Sequence, residues 1–254
     1  MWIQLRNWAA GAMPPAVRQM AREWYYPRKI ARYSAADWLP ADGVHRLVSA
    51  GSVVVDAGAN VGYITATLAR WVGPEGRVHS FEPVPSTFAV LRRTVEHLRL
   101  GNVILHPCAL SDSAGEAKVH IPSFADGREN FYEASLHVHP WNTYSGRSFS
   151  VRTATLDDEL GSDAERVHFM KIDVEGHEEP LLLGSRLVLQ RARPALLIEI
   201  DGSLDDESVS AGRVARFLES FGYRPYFWRN DWCPRQRGES AVDYFFLMPH
   251  HVSA

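Results

Sequence analysis

Val53-Val54-Val55-Asp56-Ala57-Gly58-Ala59-Asn60-Val61-Gly62-Tyr63 is a β-branched run that stops at an acid and passes through two glycines into a helical pattern. Three consecutive valines suit a strand buried on both faces. From Tyr63 to Val72 the apolar positions Ile64, Leu68 and Trp71 fall at helical spacing, and Gly73-Pro74 stops the helix. Arg77 to Phe81 is a second apolar run, ending at Glu82. Together they read as a β-α-β unit whose glycine-bearing loop lets the backbone approach a ligand closely.

Outward from this unit the alternation continues. A helix is expected over 86–98, strands over 103–106 and 167–172, one helix over 178–190, and a strand over 195–200. That rhythm predicts an α/β doubly wound, mostly parallel sheet with helices on both faces. After a helix near 210–221, Tyr226-Phe227-Trp228 and Tyr244-Phe245-Phe246-Leu247 read as a terminal antiparallel strand pair. The main domain is expected over 51–254, preceded by a helical extension or lid over 1–50. Between the third and fourth strands, 111–164 breaks the rhythm: Val119-His120-Ile121 and Phe149 to Thr153 look like a hairpin. Its connecting loop holds Tyr132, His137, His139, Trp141 and Tyr144, and is expected to face the substrate.

The 254 residues are 46% hydrophobic and 22% charged, enough for one large core. A net charge of −3 gives no bulk attraction to nucleic acid, so no nucleic-acid partner is expected. Cys108 and Cys233 are the only cysteines and lack metal-ligand spacing, which argues against a disulfide framework or structural zinc and for a reduced, cytoplasmic setting. The N-terminus carries arginines and prolines in place of the apolar run of a signal peptide or span. Its Trp2, Trp8, Trp24, Tyr25 and Tyr26 suit either a lid packed on the domain or peripheral contact with a membrane.

The loop itself narrows the ligand. GxGxxG is not met, because Asn60 and Tyr63 stand where its second and third glycines would, and no Walker Lys-Ser/Thr is present. Asp56 at the first strand end suits a ligand carrying an ammonium or sulfonium, and S-adenosylmethionine carries both. Glu82, 20 residues after Gly62, is placed to accept hydrogen bonds from ribose hydroxyls. The plainer reading makes Asp56 a helix cap and Glu82 a turn acid before Pro83.

DAGANVGYITATLA from Asp56, SFEPVPSTFAVLRRTVEHL from Ser80, CALSD from Cys108 and FMKIDVEGHEEPLLLG from Phe169 occur in that order. With these motifs the chain resembles the FkbM family of S-adenosylmethionine-dependent methyltransferases over about 53–200, Ala57 standing where the family has valine or isoleucine. The resemblance implies a class I methyltransferase (Rossmann-like) fold and, most often, O-methylation of a sugar, glycolipid or polyketide-type hydroxyl. Carried over motif by motif, Asp56, Gly58, Asn60 and Gly62 would surround the methionine end, Glu82 the ribose, and Ala109-Leu110-Ser111-Asp112 the adenine.

Methyl transfer to a neutral hydroxyl needs alignment and a base or a metal. Lys171, Asp173, Glu175 and His177 lie at or just beyond the fourth strand, and alternation puts Lys171 and Asp173 on one side of it. Asp173 is expected nearest the transferred methyl, with His177 or Glu175 assisting proton removal. Glu199, ending the fifth strand, would be able to join Asp173 and Glu175 around magnesium, although no spacing demands a metal. Two other readings share these residues: a Rossmann-type NAD-linked oxidoreductase, and a non-catalytic methyltransferase-fold scaffold.

Overall fold

The computed structural model describes residues 14–122, 136 and 146–253. Helix α1 (Pro15–Ala31) and α2 (Ala41–Leu47) precede the first strand. The β-α-β unit follows as β1 (Val53–Ala57), α3 (Tyr63–Val72) and β2 (Arg77–Phe81). Then come α4 (Pro85–Leu98), β3 (Val103–His106), β4 (Ala109–Leu110), β5 (Gly115–Pro122), β6 (Gly146–Ala154) and α5 (Leu156–Leu160). The chain ends with β7 (Val167–Ile172), α6 (Glu178–Leu183), α7 (Arg186–Arg191), β8 (Ala195–Glu199), α8 (Ser210–Ser220), β9 (Arg224–Trp228), β10 (Trp232–Pro234), β11 (Asp243–Leu247) and α9 (Pro249–Val252).

The large sheet has the order β10-β9-β11-β8-β7-β1-β2-β3. Strands β8, β7, β1, β2 and β3 are mutually parallel, and β11 is antiparallel to both β8 and β9. The expected terminal pair is present, but its second strand is threaded between β8 and β9 rather than added outside them, and β10 forms the edge. The chain order reverses between β7 and β1, which makes that boundary the switch point where such sheets hold ligands.

Strand alternation distributes β1 between two cores. Val53 and Val55 pack with Met170, Ile172 and Leu196 on one face, while Val54 packs with Leu68, Phe169 and Leu197 on the other. The predicted hairpin forms as β5 and β6, in register Val119 to Phe149, and β4 joins β6 to complete a second, three-stranded sheet. Of the loop joining β5 and β6, Leu136 is described; Tyr132, His137, His139, Trp141 and Tyr144 lie outside the described residues, as do Trp2 and Trp8.

The single helix expected over 178–190 is two helices. Gly184 lies so close to the strand-end turn that a Cβ there would collide with the Ser111 carbonyl oxygen, and the Ser185 hydroxyl donates to the Leu181 carbonyl at 2.7 Å. The second helix restarts under the Asp157 carboxylate, which accepts the Leu187 and Val188 N–H groups at 2.9 and 3.1 Å.

Candidate active site

A cavity of about 350 Å³ opens at the carboxyl ends of β1, β2, β7 and β8. Gly58 and Asn60 line it from β1, Glu82 from β2, Asp173, Glu175 and His177 from beyond β7, and Glu199 from β8. The remaining wall is mostly apolar and comes largely from the small sheet and the turn before it, with Val84, Cys108, Leu110, Val119 and Leu136.

The loop after β1 is shaped by its glycines. Gly58 has φ +80°, and a Cβ on it would collide with the Asp173 carbonyl oxygen, so only glycine lets β1 and β7 approach at this point. The Asp173 N–H donates to the Ala57 carbonyl at 3.0 Å, and Gly58 and Ala59 both donate to the Phe81 carbonyl. Gly62, φ +99°, makes no cavity wall; it admits Leu91 and Thr94 of α4 against the start of α3.

Glu82 is buried at the cavity wall. Its Oε1 accepts the Val84 N–H at 2.8 Å and its Oε2 accepts the Asn60 N–H at 3.0 Å, so the two motifs are locked together through one carboxylate. Burial pushes its carboxyl up to about 7, against the pull of those two N–H groups. Each oxygen retains a lone pair for a further donor.

Asp56 does not line the cavity. It is fully buried beneath the loop, its Oδ2 accepting the Thr65 hydroxyl at 2.6 Å, and Oδ1 has no hydrogen bond. Burial holds its carboxyl above the ordinary range despite the positive charge of Lys171, its cross-strand neighbour on β7. Lys171 is likewise buried, and its ammonium pairs with Asp173. Burial opposes charge on Lys171, yet Asp173, Asp56 and Glu199 outweigh it and raise its pKa. Thus Lys171 and Asp173 do share one side, and Asp173 presents its carboxyl to the cavity while Lys171 supports it from behind.

Glu199 completes this row. It faces Asp243 across β8 and β11, and burial, then Asp173 and Asp243, push its carboxyl up to about 7. The Glu175 backbone is left-handed, φ +49°, and the following Gly176 N–H donates to Glu178 at 2.8 Å. The His177 Nε2 lies 3.0 Å from the Ser111 hydroxyl, which ties the loop after β7 to the turn after β4. Ser111 and Asp112 themselves stand outside the cavity, whose wall at that turn is Cys108, Ala109 and Leu110. Sequence reasoning missed Cys108 and Val84, which lie just before β4 and just before α4, where no strand or helix periodicity signals which way a side chain turns. Burial raises the Cys108 thiol to about 11, so it is apolar wall, not a nucleophile.

Among the described residues no three histidine, cysteine or acidic side chains come together as a metal-binding group. Asp173 and Glu175 line the cavity from beyond β7 and Glu199 from the end of β8 without forming such a group, so the geometry does not support the magnesium site that the sequence left open. What the cavity does suit is a ligand with a diol for Glu82 and positive charge near the Asp173 carboxylate, whose charge Lys171 only partly offsets. S-adenosylmethionine has both features.

Residues 56–225 match the model of the methyltransferase FkbM domain. The chain is 29% identical over 195 residues to methyltransferase 1 of Beauveria bassiana, covering 72% of this chain and 76% of that protein. It is 32% identical over 196 residues to the 31-O-demethyl-FK506 methyltransferase FkbM of Streptomyces tacrolimicus, covering 68% and 73% respectively. In fold it is similar to the crystal structure of methyltransferase FkbM from Methylobacillus flagellatus, with TM-score 0.55 and 17% identity over 95% of this chain; it spans 59% of that protein's length. The expected class I methyltransferase architecture is therefore the one observed, and the chain belongs to the FkbM family of S-adenosylmethionine-dependent methyltransferases.

Proposed function

We propose that the protein methylates a hydroxyl of a small-molecule or lipid-linked acceptor, a sugar, glycolipid or polyketide-type alcohol, on the cytoplasmic side of the cell. The observation that carries this reading is a single cavity with a diol-accepting carboxylate, Glu82, on one wall and the Asp173 and Glu199 carboxylates on another. Support for an oxygen acceptor also comes from the Streptomyces tacrolimicus relative, whose name specifies O-methylation. When bound, S-adenosylmethionine supplies a methyl group made electrophilic by its sulfonium sulfur.

The chain's own residues divide the remaining work. Glu82 would hold the ribose hydroxyls on the lone pairs left free by Asn60 and Val84. Asp173, paired with and oriented by Lys171, sets negative potential where positive charge must sit. Glu199 would take the acceptor's hydroxyl proton and so free the oxygen to act as nucleophile; a carboxyl titrating at about 7 is matched to that task near neutral pH. This moves the base from His177 or Glu175, which the sequence favoured, to the end of β8. His177 instead holds Ser111.

The test is a screen of labelled methyl transfer from S-adenosylmethionine to sugars, glycolipids and polyketide alcohols, with and without EDTA. Transfer to a hydroxyl, unchanged by EDTA, is expected. Transfer to nitrogen or carbon acceptors alone would sink the oxygen assignment. Calorimetric titration separates the rival oxidoreductase: binding of S-adenosylhomocysteine and not NAD is expected, and the reverse would favour hydride chemistry.

A further inference from the structure

Helix α1 has two faces of different character. Its inner face rests on α4 and the start of α3: Ile30 is buried with Val61, Ala66 and Val90, the Gln19 side-chain amide donates to the Ser86 carbonyl at 2.9 Å, and Tyr33 meets Tyr63 edge to face. Ser86 and Tyr63 open the helices that follow the cavity-lining segments at Glu82 and Asn60. The helix therefore lies beside the end of the sheet at which the cavity opens.

The outer face is apolar and unexpectedly bare. Val17, Met20, Trp24 and Tyr25 are 47%, 71%, 62% and 49% exposed. Val17, Met20 and Trp24 follow the i, i+3, i+7 spacing of one helical stripe. Around them stand Arg18, Arg22, Arg28, Lys29 and Arg32, against Glu23 as the one acid between Pro15 and Arg32, in a chain of net charge −3. Glu23 is engaged on the α4 side, 3.5 Å from the Arg93 guanidinium and accepting from Gln19 at 2.8 Å. The Arg28 guanidinium lies 4.4 Å from the Trp24 ring. An exposed stripe with tryptophan and tyrosine, flanked by cations, has the composition of a helix that lies in a membrane interface. Among the described residues no helix is long and apolar enough to cross a membrane, so the contact would be peripheral.

We propose that the outer face of α1 docks the protein on an anionic lipid surface, with the cavity mouth at the same edge. The charge complementarity selects this occupant: a local concentration of cations on an acidic protein favours anionic headgroups, and the aromatic stripe enters the headgroup–acyl boundary. The surface stands apart from the identity of the methyl acceptor, and its readout does not involve methyl transfer, so either reading can fail without the other.

The test is co-sedimentation of the full chain with vesicles of phosphatidylcholine and of phosphatidylcholine mixed with phosphatidylglycerol, at low and high salt. Partition into the anionic vesicles alone, lost at high salt, is expected. Arg28→Gln with Arg32→Gln should lower that partition by about an order of magnitude, and Met20→Ser with Trp24→Ser by at least as much. S-adenosylhomocysteine titration checks that each variant is folded; if the Met20/Trp24 double variant is not, Met20→Ser alone carries the same expectation. No partition, equal partition into neutral vesicles, or wild-type partition by folded variants would overturn the proposal. So would a dimer abolished by the same substitutions, which would make this face a contact between copies of the chain.

Discussion

Glu82 is pulled in opposite directions by its surroundings. Two backbone N–H groups favour its carboxylate, while burial pushes the carboxyl to about 7. Only the carboxylate accepts both hydroxyls of a diol, so S-adenosylhomocysteine affinity should rise as pH passes through about 7. Glu82→Gln should weaken binding by about 1–3 kcal/mol and flatten that rise, read by calorimetry across pH. Constant affinity over the same range would remove Glu82 from the ribose. Glu199→Gln should instead leave cofactor affinity unchanged and lower turnover by roughly a hundredfold or more, with loss of the rise in rate through neutral pH. An Asp173→Asn enzyme should show lower turnover with its cofactor affinity largely kept, and full activity would contradict the role proposed for it beside the transferred methyl. Asp56 is a different case, since Thr65 and the β1–β7 register enclose it. Its substitution would act on the loop and on Lys171 rather than on a direct ligand contact.

Among the elements, the pair α6 and α7 shows why a local pattern misled. The apolar spacing from Glu178 to Gln190 is continuous, and nothing in it marks a break apart from Gly184-Ser185. The break is imposed by the Ser111 carbonyl pressing on Gly184, and the restart by the Asp157 carboxylate, 30 residues upstream of Leu187. Asp157→Ala should therefore destabilise the fold by about 1 kcal/mol through loss of a distant cap, read as a lower thermal midpoint. Gly184→Ala should cost more, because its methyl meets backbone, and should also disturb the Ser111–His177 contact above it. The β5–β6 hairpin was legible from its alternation. That its inner face would pack against the cavity was not, because Val119 and Leu110 meet it only after β4 joins the small sheet.

For the whole molecule, the cavity acids and a buried imidazole pair work against each other in pH. Glu82 and Glu199, raised from 4.5 to about 7, stabilise the fold below about 4.5, and that contribution is lost as pH rises through about 7. His79 and His106, 3.1 Å apart and lowered by burial from 6.5, have the reverse effect: their contribution is full above 6.5 and is lost as pH falls. Calorimetric melting of the ligand-free protein should then show Glu199→Gln raising the midpoint by about 2–4 °C above neutral pH and leaving it unchanged at pH near 4.5. An equal gain at both would mean that the wild-type carboxyl carries no such strain. Local pattern was enough for the β-α-β unit and the parallel arrangement of its core strands, because β-branched runs and two glycines act over a few residues, and the short motifs carried the cofactor class. That Asp56 lies beneath the loop, that Glu199 titrates beside Asp173 and Asp243, and that β11 is threaded inside the sheet came from the assembled fold alone. Those outcomes depend on strands far apart in the chain meeting at one end of a sheet, where burial and like charge combine in a way that local spacing does not encode.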